Sequence, residues 1–260
     1  MKGKKLVTID EKFLKTTFYR DEFSLILCPN CQHDLYLDEK TLAEGETAVS
    51  LKAELAVGFD VDIWDGRFSC LLRCMNCAEA VAVAGRCSRE NWVDEESNLK
   101  TWTLFEPLFF QSAPHIFLIP QEVPAEVSAE VIKSFELFWL DTSASANRVR
   151  VSVEKTVSHF GVNETSTKPT GEVMPIFLQS RIDMLKRTNP DVSDELHVAL
   201  VAVKWLGNAG SHSSDLTRKD LLDAYEMLEH IFQELFVRRG KKIKQMADEI
   251  NNKKGPRSVP

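Results

Sequence analysis

Two periodicities divide the chain. Up to about residue 120 the apolar positions come in short, often alternating runs broken by turn residues; after Pro124 they recur every three or four residues. Alternation marks a strand with one buried face, and the longer repeat marks a helix packed on one side. Ser24-Leu25-Ile26-Leu27 and Asp34-Leu35-Tyr36-Leu37 flank one turn, and Arg67-Phe68-Ser69-Cys70-Leu71-Leu72-Arg73 and Ala80-Val81-Ala82-Val83-Ala84 flank another. Two strand-turn-strand units are therefore predicted. Val49, Leu51, Ala53 and Leu55 alternate within residues 45–64 and predict a further strand pair. From Trp102 to Pro124 the aromatics are interrupted by Pro107, Pro114, Pro120 and Pro124, a spacing that precludes a helix and calls for extended chain.

Five helices are predicted beyond this point. Val127, Val131, Phe135, Phe138 and Trp139 form the stripe of the first. The second runs from about residue 142 to 160 with Val149, Val153 and Val157 inward, ended by Gly161, although Val149-Arg150-Val151-Ser152-Val153 alone also reads as a strand. Pro175 opens the third, with Leu178, Ile182 and Leu185 inward and Asn189-Pro190 as its stop. Asp191 or Ser193 caps the fourth, whose Leu196, Leu200 and Val203 face a core as far as a break at Gly207-Asn208. Thr217 and Asp220 make a capping box for the fifth, with a seam of Leu221, Tyr225, Leu228, Phe232 and Leu235. The expected fold is α+β: a β-rich module over residues 1–121, a helical bundle over 122–237 and a tail over 238–260.

Length and composition fit this division. The 260 residues give room for two modest domains, and 43% hydrophobic with 27% charged residues is ordinary for a globular chain. No apolar run approaches the ~20 residues that cross a bilayer, and Met1-Lys2-Gly3-Lys4-Lys5 is not followed by a signal-peptide core. A cytoplasmic protein without membrane contact is expected. Charge is uneven: from Arg238 to Pro260 eight Lys/Arg stand against two acids, so a tail of +6 belongs to a chain of net −7 and the remainder carries −13. An acidic body argues against a broad nucleic-acid-binding surface on the folded part and leaves the basic tail, Lys241 and Lys242 included, as the contact for an anionic partner or as a solvated end.

The cysteines carry the most specific chemistry. Cys28-Pro29-Asn30-Cys31 and Cys74-Met75-Asn76-Cys77 each sit at the turn of a strand-turn-strand unit. Two intervening residues let both sulfurs of a tight turn face one point, and two such turns supply four soft ligands for a closed tetrahedron. Structural Zn2+ on Cys28, Cys31, Cys74 and Cys77, in a zinc-ribbon-like module, is favoured over an iron-sulfur cluster or two redox disulfides. Cys70 and Cys87 lie outside the pairs and read as small buried hydrophobes.

A second cluster is Lys204-Trp205-Leu206-Gly207-Asn208-Ala209-Gly210-Ser211-His212. A basic residue, an amide, small residues and a histidine crowd together there at a predicted helix end, where they could hold a phosphate or move a proton, or equally make a glycine-rich stop with one polar cap. His159, His197 and His230 read as packed or capped histidines.

The cysteine module, the proline-rich connector and a bundle bearing Arg150-Val151-Ser152-Val153-Glu154 on its second helix and Gly207-Asn208-Ala209-Gly210-Ser211-His212 before its last resemble the bacterial domain-of-unknown-function family 4145, over roughly residues 20–237. That family is grouped with the HEPN helical domains and is often found in restriction, toxin and phage-defence loci. The resemblance implies an all-α HEPN-like bundle paired as a homodimer, with RNA or another nucleic acid, or a partner protein of such a system, as its target. HEPN ribonucleases use an arginine, a polar residue, three spacers and a histidine, without a metal. Aligned on Asn208 and His212, the arginine position here is Gly207.

Two functions follow. In the first the chain is a metal-independent ribonuclease, with His212 as acid/base, Asn208 orienting it, Lys204 and Arg150 holding phosphate, and Arg148, Lys241 and Lys242 as further phosphate contacts. Lysine lacks the bidentate fork of arginine, which weakens such a clamp. In the second the chain is a non-catalytic zinc-containing binding or assembly module, a degenerate HEPN domain in which Lys204, Asn208 and His212 form a helix end or dimer seam. Whether the protein is an enzyme stays open at this level.

Overall fold

The computed structural model describes residues 11–55, 63–93, 96–212 and 216–256, with the backbone alone at 11, 12, 24, 25 and 210–212. The chain divides into two compact units, Met1–Ile116 with Ile132–Ser145, and Phe117–Val131 with Ala146–Pro260. Among the described residues no helix is long and apolar enough to cross a membrane.

The first unit is built on an antiparallel sheet of β1 (Leu35–Leu37), β2 (Ala43–Glu46), β3 (Asp65–Cys74), β4 (Ala80–Val93) and β5 (Leu99–Gln111). The order is β1-β3-β4-β5, with β2 also on β3. β1 pairs Leu35 with Cys74 and β2 pairs Ala43 with Ser69, so both short strands line successive stretches of one edge of β3. β3 alternates as its sequence predicts: Phe68, Cys70, Leu72 and Cys74 are buried, and Arg67, Ser69 and Arg73 are exposed.

The long pair β4–β5 shifts register between Ala84 and Gly85, where Gly85 faces Pro107. Proline has no N–H for the ladder, so a strand that contains one needs an irregularity there. Only glycine allows it: a Cβ at residue 85 would collide with the Glu106 carbonyl. Beneath the sheet Phe18, Phe23, Phe68 and Phe105 form one aromatic cluster, with Phe68 and Phe105 edge to face at 4.9 Å. Phe110 packs on Trp139 at the same centroid distance of 4.9 Å.

The predicted strand pair at residues 45–64 is corrected over residues 47–55, while 56–62 lie outside the described residues. β2 ends at Glu46 and α1 (Ala48–Glu54) follows, capped by Thr47, whose hydroxyl accepts the Ser50 N–H. Only Ser50 of this helix is buried, and its Oγ accepts the Asp65 N–H at 2.9 Å. Val49 and Leu51 are exposed, so their alternation does not reflect burial. A threonine cap followed by alanines, lysine and glutamate outweighs it.

Helices carry the rest: α2 (Ala125–Leu137), α3 (Thr142–His159), α4 (Leu178–Thr188), α5 (Asp194–His212), α6 (Arg218–Phe232) and α7 (Arg239–Lys253), with a small hairpin of β6 (Thr165–Thr167) and β7 (Val173–Pro175) between α3 and α4. The predicted seams are buried, from Val127, Val131 and Phe135 through Val149, Val153 and Val157 to Leu221, Tyr225 and Leu228. Gly161 ends α3 at φ 84, a left-handed conformation open to glycine. Pro175 does not open α4. It closes β7, and the helix starts after Phe177, because Ile176 still donates to the Glu164 carbonyl at 2.8 Å.

The capping box of α6 forms as expected. Thr217 Oγ1 accepts the Asp220 N–H, and the Asp220 carboxylate accepts the Thr217 N–H at 2.9 Å. Replacing Thr217 with alanine should cost about 1 kcal/mol, lowering Tm by a few degrees. A thermal scan of the variant checks it, and an unchanged Tm would show that the cap contributes nothing.

The break expected at Gly207-Asn208 does not occur. α5 continues through both residues to His212, because Gly207 lies against the backbone of α3, where a Cβ would run into Arg150 Cβ and crowd the Ala146 carbonyl. This glycine serves close helix packing and not helix termination.

Candidate functional site

The two cysteine turns have the same backbone. In the first, Cys28 N–H donates to the His33 carbonyl (2.8 Å) and Gln32 N–H to the Cys28 carbonyl (2.9 Å); in the second, Cys74 N–H donates to Glu79 (3.0 Å) and Ala78 N–H to Cys74 (3.0 Å). The residue after each pair's second cysteine turns left-handed, Gln32 at φ 62 and Ala78 at φ 61. β1 and β3 bring the turns together, since Leu35 pairs with Cys74.

All four sulfurs lie within 4.8 Å of one another, with Cys31 to Cys74 at 3.4 Å and Cys28 to Cys77 at 3.6 Å. Four sulfurs each ~2.3 Å from one ion stand about 3.8 Å apart. The cysteines are therefore close enough to hold a metal ion. All six are free thiols, and Cys70 and Cys87 stay outside this cluster as buried residues of β3 and β4.

Electrostatics set Cys28 apart from Cys31. Burial pushes Cys28 up to about 12. The Asn76 side chain, helped by the His33 N–H, holds Cys31 down to about 6. A dication among the sulfurs would favour the thiolate form of its ligands.

In the helical unit the expected residues take different places. Lys204 is buried; its Nζ donates to Gln179 Oε1 of α4 at 2.6 Å and lies 3.4 Å from the Trp205 ring centroid. Burial holds its ammonium below the usual lysine range, against the opposing attraction of Asp183. With α5 unbroken, Lys204, Asn208 and His212 are spaced four residues apart along one helix face. Asn208 is half-buried, and the His212 side chain lies outside the described residues.

The other cations have acidic partners. Arg148 pairs with Glu130 (3.1 Å), Arg150 with Glu154 (2.7 Å), Lys241 with Asp191 (3.1 Å) and Lys242 with Glu122 (3.5 Å). Asp191 also holds Arg238 at 2.9 Å. Arg150 comes close to α5 through its stem at Gly207, while its guanidinium turns to Glu154 on its own helix. Lys241 and Lys242 stand on α7, none of whose residues is buried.

Residues 133–253 match the family model of DUF4145, a domain of unknown function. The DUF4145 match takes in the Lys204–His212 segment, Arg148, Arg150 and all of α7. Residues 16–110 match a second family of unknown function, DUF8608, and this match holds all four clustered cysteines. Neither the curated proteins nor the solved structures contain a match to the chain.

One polar group in the DUF4145 segment was not legible as such. His197 Nε2 lies 2.8 Å from Asp183 Oδ1, which Gln179 Nε2 also reaches at 3.0 Å. His197 holds the Asp183 carboxyl below its ordinary range. Gln179 accepts from Lys204 and donates to Asp183, so α4 and α5 share one polar network running from His197 to Lys204. The spacing of His197 and Lys204 on one helix face signals it, but the partners on α4 come only from packing.

Proposed function

We propose that the chain is a zinc-stabilised binding and assembly module, built on a degenerate HEPN-like bundle, that recruits a partner protein in a restriction, toxin or defence system and cleaves no RNA. The observation that carries this reading is where the cations point. Lys204 is buried on Gln179, and Arg148, Arg150, Lys241 and Lys242 each face a carboxylate. A phosphate clamp needs cations that converge on an open point; among the described residues these cations are dispersed over acids of their own unit.

The packing of Gly207 supports the same reading. The position that carries the arginine in HEPN ribonucleases here touches the α3 backbone. For the metal, four clustered soft donors and a single-ion spacing favour zinc in a closed site. An iron-sulfur cluster, with several irons and sulfides between the ligands, would hold the cysteine sulfurs further apart. With four protein ligands no coordination position is open to a substrate, so the ion serves folding.

The test is an assay of labelled RNA with the metal-loaded full chain and with His212→Ala. Both are expected to leave the RNA intact relative to buffer. Cleavage by the unaltered chain that the substitution abolishes would overturn the reading in favour of the ribonuclease.

A further inference from the structure

Among the described residues, no third strand lies beside the far part of the β4–β5 ribbon on the β4 side. β3 reaches along β4 only as far as Ser88, while β4 and β5 continue to pair from Arg89 with Thr103 to Val93 with Leu99. A two-stranded ribbon in water is marginal alone and has no core to cover. Yet this one carries Trp92 and Trp102, each half exposed. Two half-exposed indoles on one such segment make a surface suited to a partner.

These indoles line a cleft of about 370 Å³ with Tyr19, Asp21, Glu90 and Asn91. Glu90 and Trp102 are direct cross-strand partners. The Tyr19 ring meets the Trp102 ring edge-on at 5.9 Å, and its backbone is held by Glu22, whose carboxylate accepts the Tyr19 N–H at 2.8 Å. Three aromatic rings and the carboxylate of Glu90, which the Tyr19 hydroxyl approaches at 3.5 Å, thus share the cleft, and Lys100 stands across from Trp92 on β5.

We propose that this cleft receives an arginine side chain presented by a partner protein. A planar guanidinium stacks on indole faces and donates to a carboxylate, which matches Trp92 and Trp102 with Glu90. The same unit already holds such an arrangement internally: the Arg89 guanidinium lies 4.0 Å from the Trp64 ring centroid and 4.0 Å from Glu46, and Glu46 accepts the Trp64 indole N–H at 2.9 Å. The −13 of the chain before Arg238 draws a cationic segment toward the cleft and repels phosphate backbones and anionic lipid. This inference rests on the recruiting-module reading and names the chemistry of the partner.

The experiment titrates the metal-loaded full chain with three blocked tripeptides, Ac-Gly-Xaa-Gly-amide, where Xaa is arginine, its neutral isostere citrulline, or lysine. Binding is followed on the indole N–H signals, with Trp92→Phe and Trp102→Phe assigning two of the five tryptophans. The arginine peptide should bind with Kd on the order of 1 mM and shift the Trp92 and Trp102 signals. Glu90→Gln, which keeps the shape and the exposed position, should weaken it about five- to tenfold with unchanged circular dichroism and metal content. No shift at about 10 mM peptide, equal binding of the citrulline or lysine peptide, or no effect of Glu90→Gln would each overturn the proposal. The RNA assay reads the helical unit and this titration reads the cleft, so the two can fail separately.

Discussion

Replacing Cys74 with serine, or stripping the metal with a strong chelator, is expected to unfold the cysteine-bearing part of the first unit. The reason lies in how little else holds it. The twelve residues from Ile26 to Leu37 bury two large apolar side chains, Ile26 and Leu35, together with Cys28. Burial of this kind supplies about 2 kcal/mol per side chain, while ordering each residue's backbone costs about 1–2 kcal/mol. A structural zinc site contributes on the order of 10 kcal/mol or more at neutral pH, enough to close that gap.

The consequence should be readable as loss of bound metal, rapid proteolysis within residues 26–37, and a drop in the thermal transition of the first unit. Cys70→Ala is the control. It removes a buried sulfur from β3 outside the cluster, so it should cost about 1–2 kcal/mol of packing and leave the metal content unchanged. A Cys74→Ser chain that melts and resists protease like the unaltered protein would show that the ion does not hold this unit together.

Substitution of Gly207 has the second large effect. Alanine there gains about 1 kcal/mol in helix propensity, but its methyl group meets Arg150 and the Ala146 carbonyl, and overpacking of a closed contact costs about 1–3 kcal/mol. A net loss of roughly 0–2 kcal/mol follows. Arginine, the residue that the proposed HEPN likeness would place here, has to push α5 off α3 and should cost on the order of 3 kcal/mol or more. Urea denaturation of both variants measures this, and on the proposed reading the Gly207→Arg chain should leave RNA intact. A Gly207→Arg protein as stable as the parent that cleaves RNA in a His212-dependent way would show that the bundle needs only its arginine to be a nuclease.

The parts legible in the sequence are those governed by local periodicity and short-range hydrogen bonding. Val149, Val153 and Val157 line α3 because a residue every four positions returns to the same face. Thr217 and Asp220 cap α6 because both partners lie three residues apart. The two Cys-x-x-Cys pairs announce their chemistry because two residues between sulfurs suffice to aim both at one point.

What went astray has the opposite character. Gly207-Asn208 carries the local marks of a helix stop, yet α5 runs through it, since the glycine answers a contact with α3, more than fifty residues away. Val49, Leu51 and Leu55 alternate as a strand would, but all three are exposed, and Thr47 starts a helix that takes in the first two.

The amino-acid order alone thus determined the buried faces of the main helices and of β3, the cap of α6 and which four sulfurs can share an ion, because each of these depends on spacings of a few residues. Only the tertiary structure decided that Lys204 is spent on Gln179, that Asp183 meets His197, and that Tyr19 joins Glu90, Trp92 and Trp102 around one cleft. Those juxtapositions join residues far apart in the chain through packing, and packing answers to shape and burial over the whole fold, which no local pattern records.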